Sequence, residues 1–166
     1  MPRILLTGFL ILAYTFSPFA QERTPAEKEA QQQIENDLKA LVKDHADENL
    51  GFVYVAGTEG NEVPLMNSKM FNRLKYDVYG FDLCFVIMFD DNDSSHAAWK
   101  AKMLAHPFSE KIHQMGNYPS IMHYCRFGRD YEKAAEFMAI MLFDIFEEKA
   151  DDTFYTQLDL EGPLKK

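Results

Sequence analysis

Basic residues are in short supply. Lysine and arginine number 17 against 26 aspartates and glutamates, a formal charge of −9. Nucleic acids and anionic membrane surfaces require a basic footprint, so neither is expected as a partner. Cysteine is scarce too: Cys84 and Cys125 allow at most one disulfide. Catalytic fingerprints are missing. The chain has no Gly-x-Ser-x-Gly, no glycine-rich phosphate loop and no His-Glu-x-x-His. No internal repeat or low-complexity tract is present, so a repeat array and a disordered chain are both disfavoured. No cofactor is expected, and the balance leans away from an enzyme.

What is present begins with an export signal. Arg3 precedes a run of apolar and small residues over 4–16, and Ala20 offers a small residue before a cut at Gln21. The run is shorter than the roughly 20 residues a spanning helix needs, so cleavage is expected rather than anchoring. Pro18 at the third position before the cut departs from the usual small residue. Arg3 is the only charged residue removed, so −9 becomes −10 in the mature chain. Residues 1–20 are therefore expected to be a signal peptide, and the protein to be exported, periplasmic or secreted, with no stable membrane span after cleavage. The oxidising compartment leaves a Cys84–Cys125 disulfide open, provided their strands are neighbours in register.

The fold is organised by Phe81-Asp82-Leu83-Cys84-Phe85-Val86-Ile87-Met88-Phe89. From Leu83 on it is apolar at every position, as befits a strand buried on both faces. Asp90-Asp91-Asn92-Asp93 ends it. Upstream, Thr24-Pro25-Ala26-Glu27 is a capping box with proline at the first helical position. It opens a long polar helix in residues 21–50, reaching about Glu48, with Gly51 as its stop. Residues 52–56 and 62–66 flank the turn Gly57-Thr58-Glu59-Gly60-Asn61 and read as a hairpin, and Pro64 directs the return strand to an edge or a bulge. A short helix is expected around 69–74.

Downstream, Ser94 or Ser95 caps a helix that His106-Pro107 interrupts, with a further helical turn over 109–115. Residues 121–127 alternate as a strand, with Ile121, His123, Cys125 and Phe127 on one face and Met122, Tyr124 and Arg126 on the other. The strongest helix spans 131–149, with Asp144 solvated beside Glu136, Glu147 and Glu148. A last, half-exposed strand covers 153–160, with Phe154, Thr156, Leu158 and Leu160 on its apolar side. The expected architecture is a two-layer α+β domain over 51–162, a mixed or mostly antiparallel sheet of about five strands packed by helices. A frayed tail is expected at 163–166.

Four groups of residues invite a functional reading. Ile34, Leu38 and Leu41 form a narrow apolar stripe on a very polar helix, a candidate seam for a protein partner or a homodimer. His113, His123 and Cys125, with Met103, Met115 and Met122 nearby, are weak candidates for a metal site or a thiol with its base. Arg73, Lys75, Arg126 and Arg129 could gather around an anion, although ion pairs with the many acids are the simpler account. The aromatics Phe52, Tyr54, Phe71, Tyr76, Tyr79, Tyr118, Tyr124, Tyr131 and Tyr155 exceed what one small core needs: exposed tyrosines suit a protein surface, and buried rings with only the hydroxyls at water are the alternative. The acidic run at 90–93 lacks calcium-loop spacing and fits a helix cap, and its Asn92-Asp93-Ser94 is a glycosylation sequon in a eukaryotic host. Together these favour an exported, non-catalytic binding domain, with a small metal-handling protein or thiol enzyme as the alternative.

Overall fold

The computed structural model describes residues 22–48, 50–70, 81–90, 92–116, 121–151 and 153–164. The expected signal peptide, most of the short helix at 69–74, and Phe71, Arg73, Lys75, Tyr76, Tyr79, Asp91 and Tyr118 lie outside them.

The amino-terminal capping box forms as its spacing requires. Glu27 N–H donates to Thr24 Oγ1 at 3.2 Å, and Thr24 N–H donates to Glu27 Oε2 at 2.8 Å. From it runs α1 (Pro25–His45). Gly51 does not stop this helix. It lies inside β1 (Leu50–Thr58), beside a register shift, where a Cβ would come within 3.2 Å of Glu161 Cβ. The helix end is held instead by Arg129, whose Nη2 donates to the Ala46 carbonyl at 2.8 Å. The hairpin partner is β2 (Asn61–Asn67), in the order the turn residues imply.

The central run becomes β3 (Leu83–Met88). Asp93 rather than a serine caps α2 (Ser94–Ala105), accepting from Ser95 N–H at 2.7 Å and His96 N–H at 3.3 Å. After His106 the chain makes a 3-10 turn, Pro107–Lys111, and then a short strand, β4 (His113–Met115). A helical turn over 109–115 is therefore not what forms. Three residues carry almost no local strand signal, and pairing with β5 (Met122–Gly128) supplies the hydrogen bonds that propensity does not.

Among the described residues the sheet has six strands, in the order β4-β5-β3-β2-β1-β6, where β6 is Tyr155–Pro163. Every pairing among the described residues is antiparallel. Pro163 pairs with Leu50, so the carboxy-terminal strand reaches the first residue of the expected tail and ends there. One face carries Phe52, Tyr54, Leu65, Leu83, Phe85 and Cys125, packed under α1 and the last helix. The other carries a smaller cluster of Cys84, Val86 and Tyr124, flanked by Met66, Met115 and Met122. A central strand that feeds both clusters has no polar face to offer, which is why it reads as unbroken apolar sequence.

The last helix is not uniform. α3 (Tyr131–Ala139) continues as a π-helical segment, Ile140–Ile145, closed by Phe146 N–H to Met141 O at 2.9 Å. The wider turn changes the angle at which the later side chains leave the axis, and Asp144 departs from the solvated face on which a regular helix would place it. Its carboxylate is largely buried and accepts from Arg23 Nη2 at 3.1 Å, while the same guanidinium sits 5.2 Å over the Phe143 ring. Burial raises the Asp144 pKa above the usual carboxylate range, with Arg23 opposing it.

Glu147 ends this helix with φ 58°, and Glu148 N–H closes back on Leu142 O at 2.9 Å. That is a Schellman-type stop with glutamate where glycine is favoured. Its ion pair with Lys102 is exposed on both sides and contributes little. Glu147→Gly is expected to stabilise the fold by about 0.5–1 kcal/mol, because the left-handed strain exceeds the entropy glycine adds to the unfolded chain. A higher urea midpoint at unchanged slope would register it.

Candidate functional site

Strand β5 carries two of the three suspected ligands on the helix-side face. His123 is 1% exposed, edge-on to Phe89 at 5.6 Å, with its Nε2 3.3 Å from Gln114 Nε2. Cys125 is 2% exposed. His113 is elsewhere: it pairs with Tyr124 and stacks on that ring at 5.3 Å, on the opposite face of the sheet. The sheet plane separates it from His123 and Cys125, so the three do not form one constellation. Among the described residues no group of three or more His, Cys, Asp or Glu is placed to hold a metal ion.

The thiols are separated in the same way. Strands β3 and β5 are neighbours, and Cys84 pairs with Arg126 while Phe85 pairs with Cys125. One residue of offset puts Cys84 and Cys125 on opposite faces, and both are free. A disulfide between them is ruled out by direction, not by distance along the strands. Burial pushes the Cys125 thiol up to about 11, with Lys111 pulling it back, and pushes Cys84 up to about 12. Both stay protonated near neutral pH, which is the wrong state for a nucleophile.

The stripe on α1 is covered by the protein itself. Ile34 and Leu38 are 0% exposed and Leu41 is 2% exposed, all within the main core. Those side chains present no free seam. The helix stays polar elsewhere because only this stripe meets the sheet and α3. The expected anion cluster is also divided. Arg126 binds Asp82, and Arg129 binds Ala46 O and Asp47. Several tyrosines are spoken for as well: Tyr54 hydroxyl donates to Asp37 at 3.0 Å, and Tyr155 hydroxyl donates to Glu62 at 2.7 Å.

Two features remain open. The first is a cleft of about 620 Å³ between the Pro107–Lys111 turn and α3, floored by β5. Its origin is local. A residue before proline is pushed out of the helical region, and His106 sits at φ −72°, ψ 145°. The chain therefore leaves the axis of α2 and restarts as a separate turn, so the helix layer is discontinuous over β5. Phe108, Phe127 and Phe137 line the cleft, with ring centroids 4.7 Å apart for Phe108–Phe137 and 5.2 Å for Phe127–Phe137. Lys111 stands at the rim together with Asp130, Lys133 and Glu136. Asp130 and Lys133 are ion-paired, and this holds the Asp130 carboxyl below its usual range.

The second is the outer edge of β6. This strand ends the sheet, and among the described residues nothing pairs with its far side. Leu158 is 40% exposed and Leu160 is 49% exposed, on the helix-side face opposite Tyr54 and Phe52. Tyr155, Gln157, Asp159 and Glu161 alternate onto the other face. A shallow groove lined by Asp37, Ala40, Leu41, Asp44, Tyr54 and Leu158 adjoins the edge. The alternation in 153–160 signals this strand, but its position at the border depends on pairing with β1, about a hundred residues away along the chain. No family model, curated protein or solved structure matches this chain.

Proposed function

We propose that this is an exported, non-catalytic interaction domain that takes an extended segment of another protein onto the free edge of β6. The observation that carries the reading is a nine-residue border strand that keeps Leu158 and Leu160 exposed on its outermost position. Sheets usually blunt such edges by shortening them, as at the three-residue β4 on the other border, or with lysine or a covering element. Added strands gain affinity from main-chain hydrogen bonds and specificity from alternate side chains.

The edge also specifies the chemistry of its partner. On the helix side a new strand meets Leu158 and Leu160, and on the other side it meets Asp159 and Glu161. A segment alternating apolar and basic residues satisfies both faces at once. A second copy of this chain satisfies them poorly, since each copy brings the same two acids and a charge of −9. Export rests on Arg3, the apolar run and Ala20. The non-catalytic assignment rests on the dispersal of His113, His123 and Cys125 and on the protonated thiols.

The test is a titration, by calorimetry and native mass spectrometry, with a peptide of β6 length that alternates leucine and lysine. The expected result is a one-to-one complex, weakened by salt. Leu158→Lys should weaken it about tenfold, and Asp159→Lys should transfer preference to a leucine–glutamate peptide. Absence of a complex, or variants that bind as the parent does, would overturn the reading. A salt-insensitive homodimer broken by Leu158→Lys would overturn the foreign-segment partner.

A further inference from the structure

The cleft over β5 is separate from the β6 edge, at the opposite border of the sheet. Its volume falls in the range of small-molecule sites. Its lining is divided: rings on the floor and walls, charges at the rim. Phe108 and Phe127 are partly exposed, whereas Phe137 is buried behind them and holds both in place. An apolar surface of this shape inside a cleft suits a flat hydrocarbon body.

The rim selects the sign of the ligand. Of the three cations that line the cleft, Lys133 is committed to Asp130 and Arg126 to Asp82. Lys111 makes no ion pair among the described residues, and its field reaches the floor at Cys125 and the wall at Asp130. Of its two acids, Asp130 is neutralised by its pair with Lys133, and Glu136 lies exposed at the rim on α3. Of the two rim charges left without an ion pair among the described residues, Lys111 is the one whose field reaches the floor at Cys125. We propose that the cleft binds a small organic anion with a flat apolar body, its carboxylate on Lys111 and its ring against Phe108 and Phe127.

Lys111 is exposed, so reversing its charge should leave the fold intact. The experiment is an amide NMR titration with phenylpropanoate, its neutral amide phenylpropanamide, and the cation phenylpropylamine. Saturable shifts are expected within 106–111, 125–127 and 130–140, with the carboxylate binding about tenfold tighter than the amide. Lys111→Glu should erase that preference, while Lys102→Glu, an equal charge change away from the cleft, should preserve it. Shifts scattered outside the cleft, equal binding of acid and amide, a preference for the amine, or a preference that survives Lys111→Glu would each overturn the proposal. The β6 edge plays no part in any of these readouts, so either site can fail alone.

Discussion

Leu38→Asp is expected to unfold the domain rather than to release a partner. Leu38 is 0% exposed, in line with Ala30, Ile34 and Leu41 on the one face of α1 that meets the core. A carboxylate at that position would lose its water and find no cation, because its surroundings are the apolar side chains of the main core. Truncation alone, Leu38→Ala, should remove about 2–5 kcal/mol by cavity formation. The charged variant adds a desolvation penalty of several kcal/mol and exceeds the total stability of many small domains. Loss of the far-ultraviolet helical signal at room temperature is the expected outcome. A folded Leu38→Asp chain with native melting would show that α1 is dispensable to the core, and would return the stripe Ile34, Leu38 and Leu41 to the role of a partner seam.

The stripe shows where sequence stops and structure begins. That Ile34, Leu38 and Leu41 form a face is a matter of period, and period is local. What covers the face is not local, and an internal helix and a second protein leave the same pattern. The capping box at Thr24 and Glu27 is legible for the same reason: both partners lie within one turn. So is β3, since burial on both faces leaves an unbroken apolar run. The features that are not legible depend on long-range geometry. Arg23 and Asp144 meet across 121 positions, and only the π-helical segment brings the carboxylate there. His113 lies across the sheet from His123 and Cys125 because β4 owes its existence to β5 rather than to its own residues. The cleft is assembled from residues between His106 and Ile140, and its one local sign is the proline that interrupts the helix layer. The β6 edge is half legible: alternation marks an amphipathic strand but not a border.

Arg126→Met should produce the other large loss, and its logic is that of a buried charge left alone. Asp82 is 1% exposed at the entrance to β3. Its Oδ1 accepts from Gly128 N–H at 2.8 Å and its Oδ2 from Arg126 Nε at 2.5 Å. Gly128 holds φ 63° there, so the carboxylate closes the end of β5 onto the start of β3 and supports a turn that favours glycine. The two partners are not equivalent. The Arg126 side chain is 27% exposed and can turn toward water, whereas Asp82 cannot. Removing the arginine therefore strands the carboxylate, and a loss of about 3–5 kcal/mol is expected. Removing the acid instead, by Asp82→Asn, keeps an acceptor for Gly128 N–H and lets the guanidinium hydrate, so a smaller loss of about 1–3 kcal/mol is expected. The double variant Asp82→Asn with Arg126→Met has no buried charge at all, and it should be more stable than Arg126→Met alone. Urea denaturation of the three variants closes the cycle. Additive losses, with the double variant the weakest, would mean that the pair acts as two independent surface groups and that β3 and β5 are held together at this end by the main chain alone.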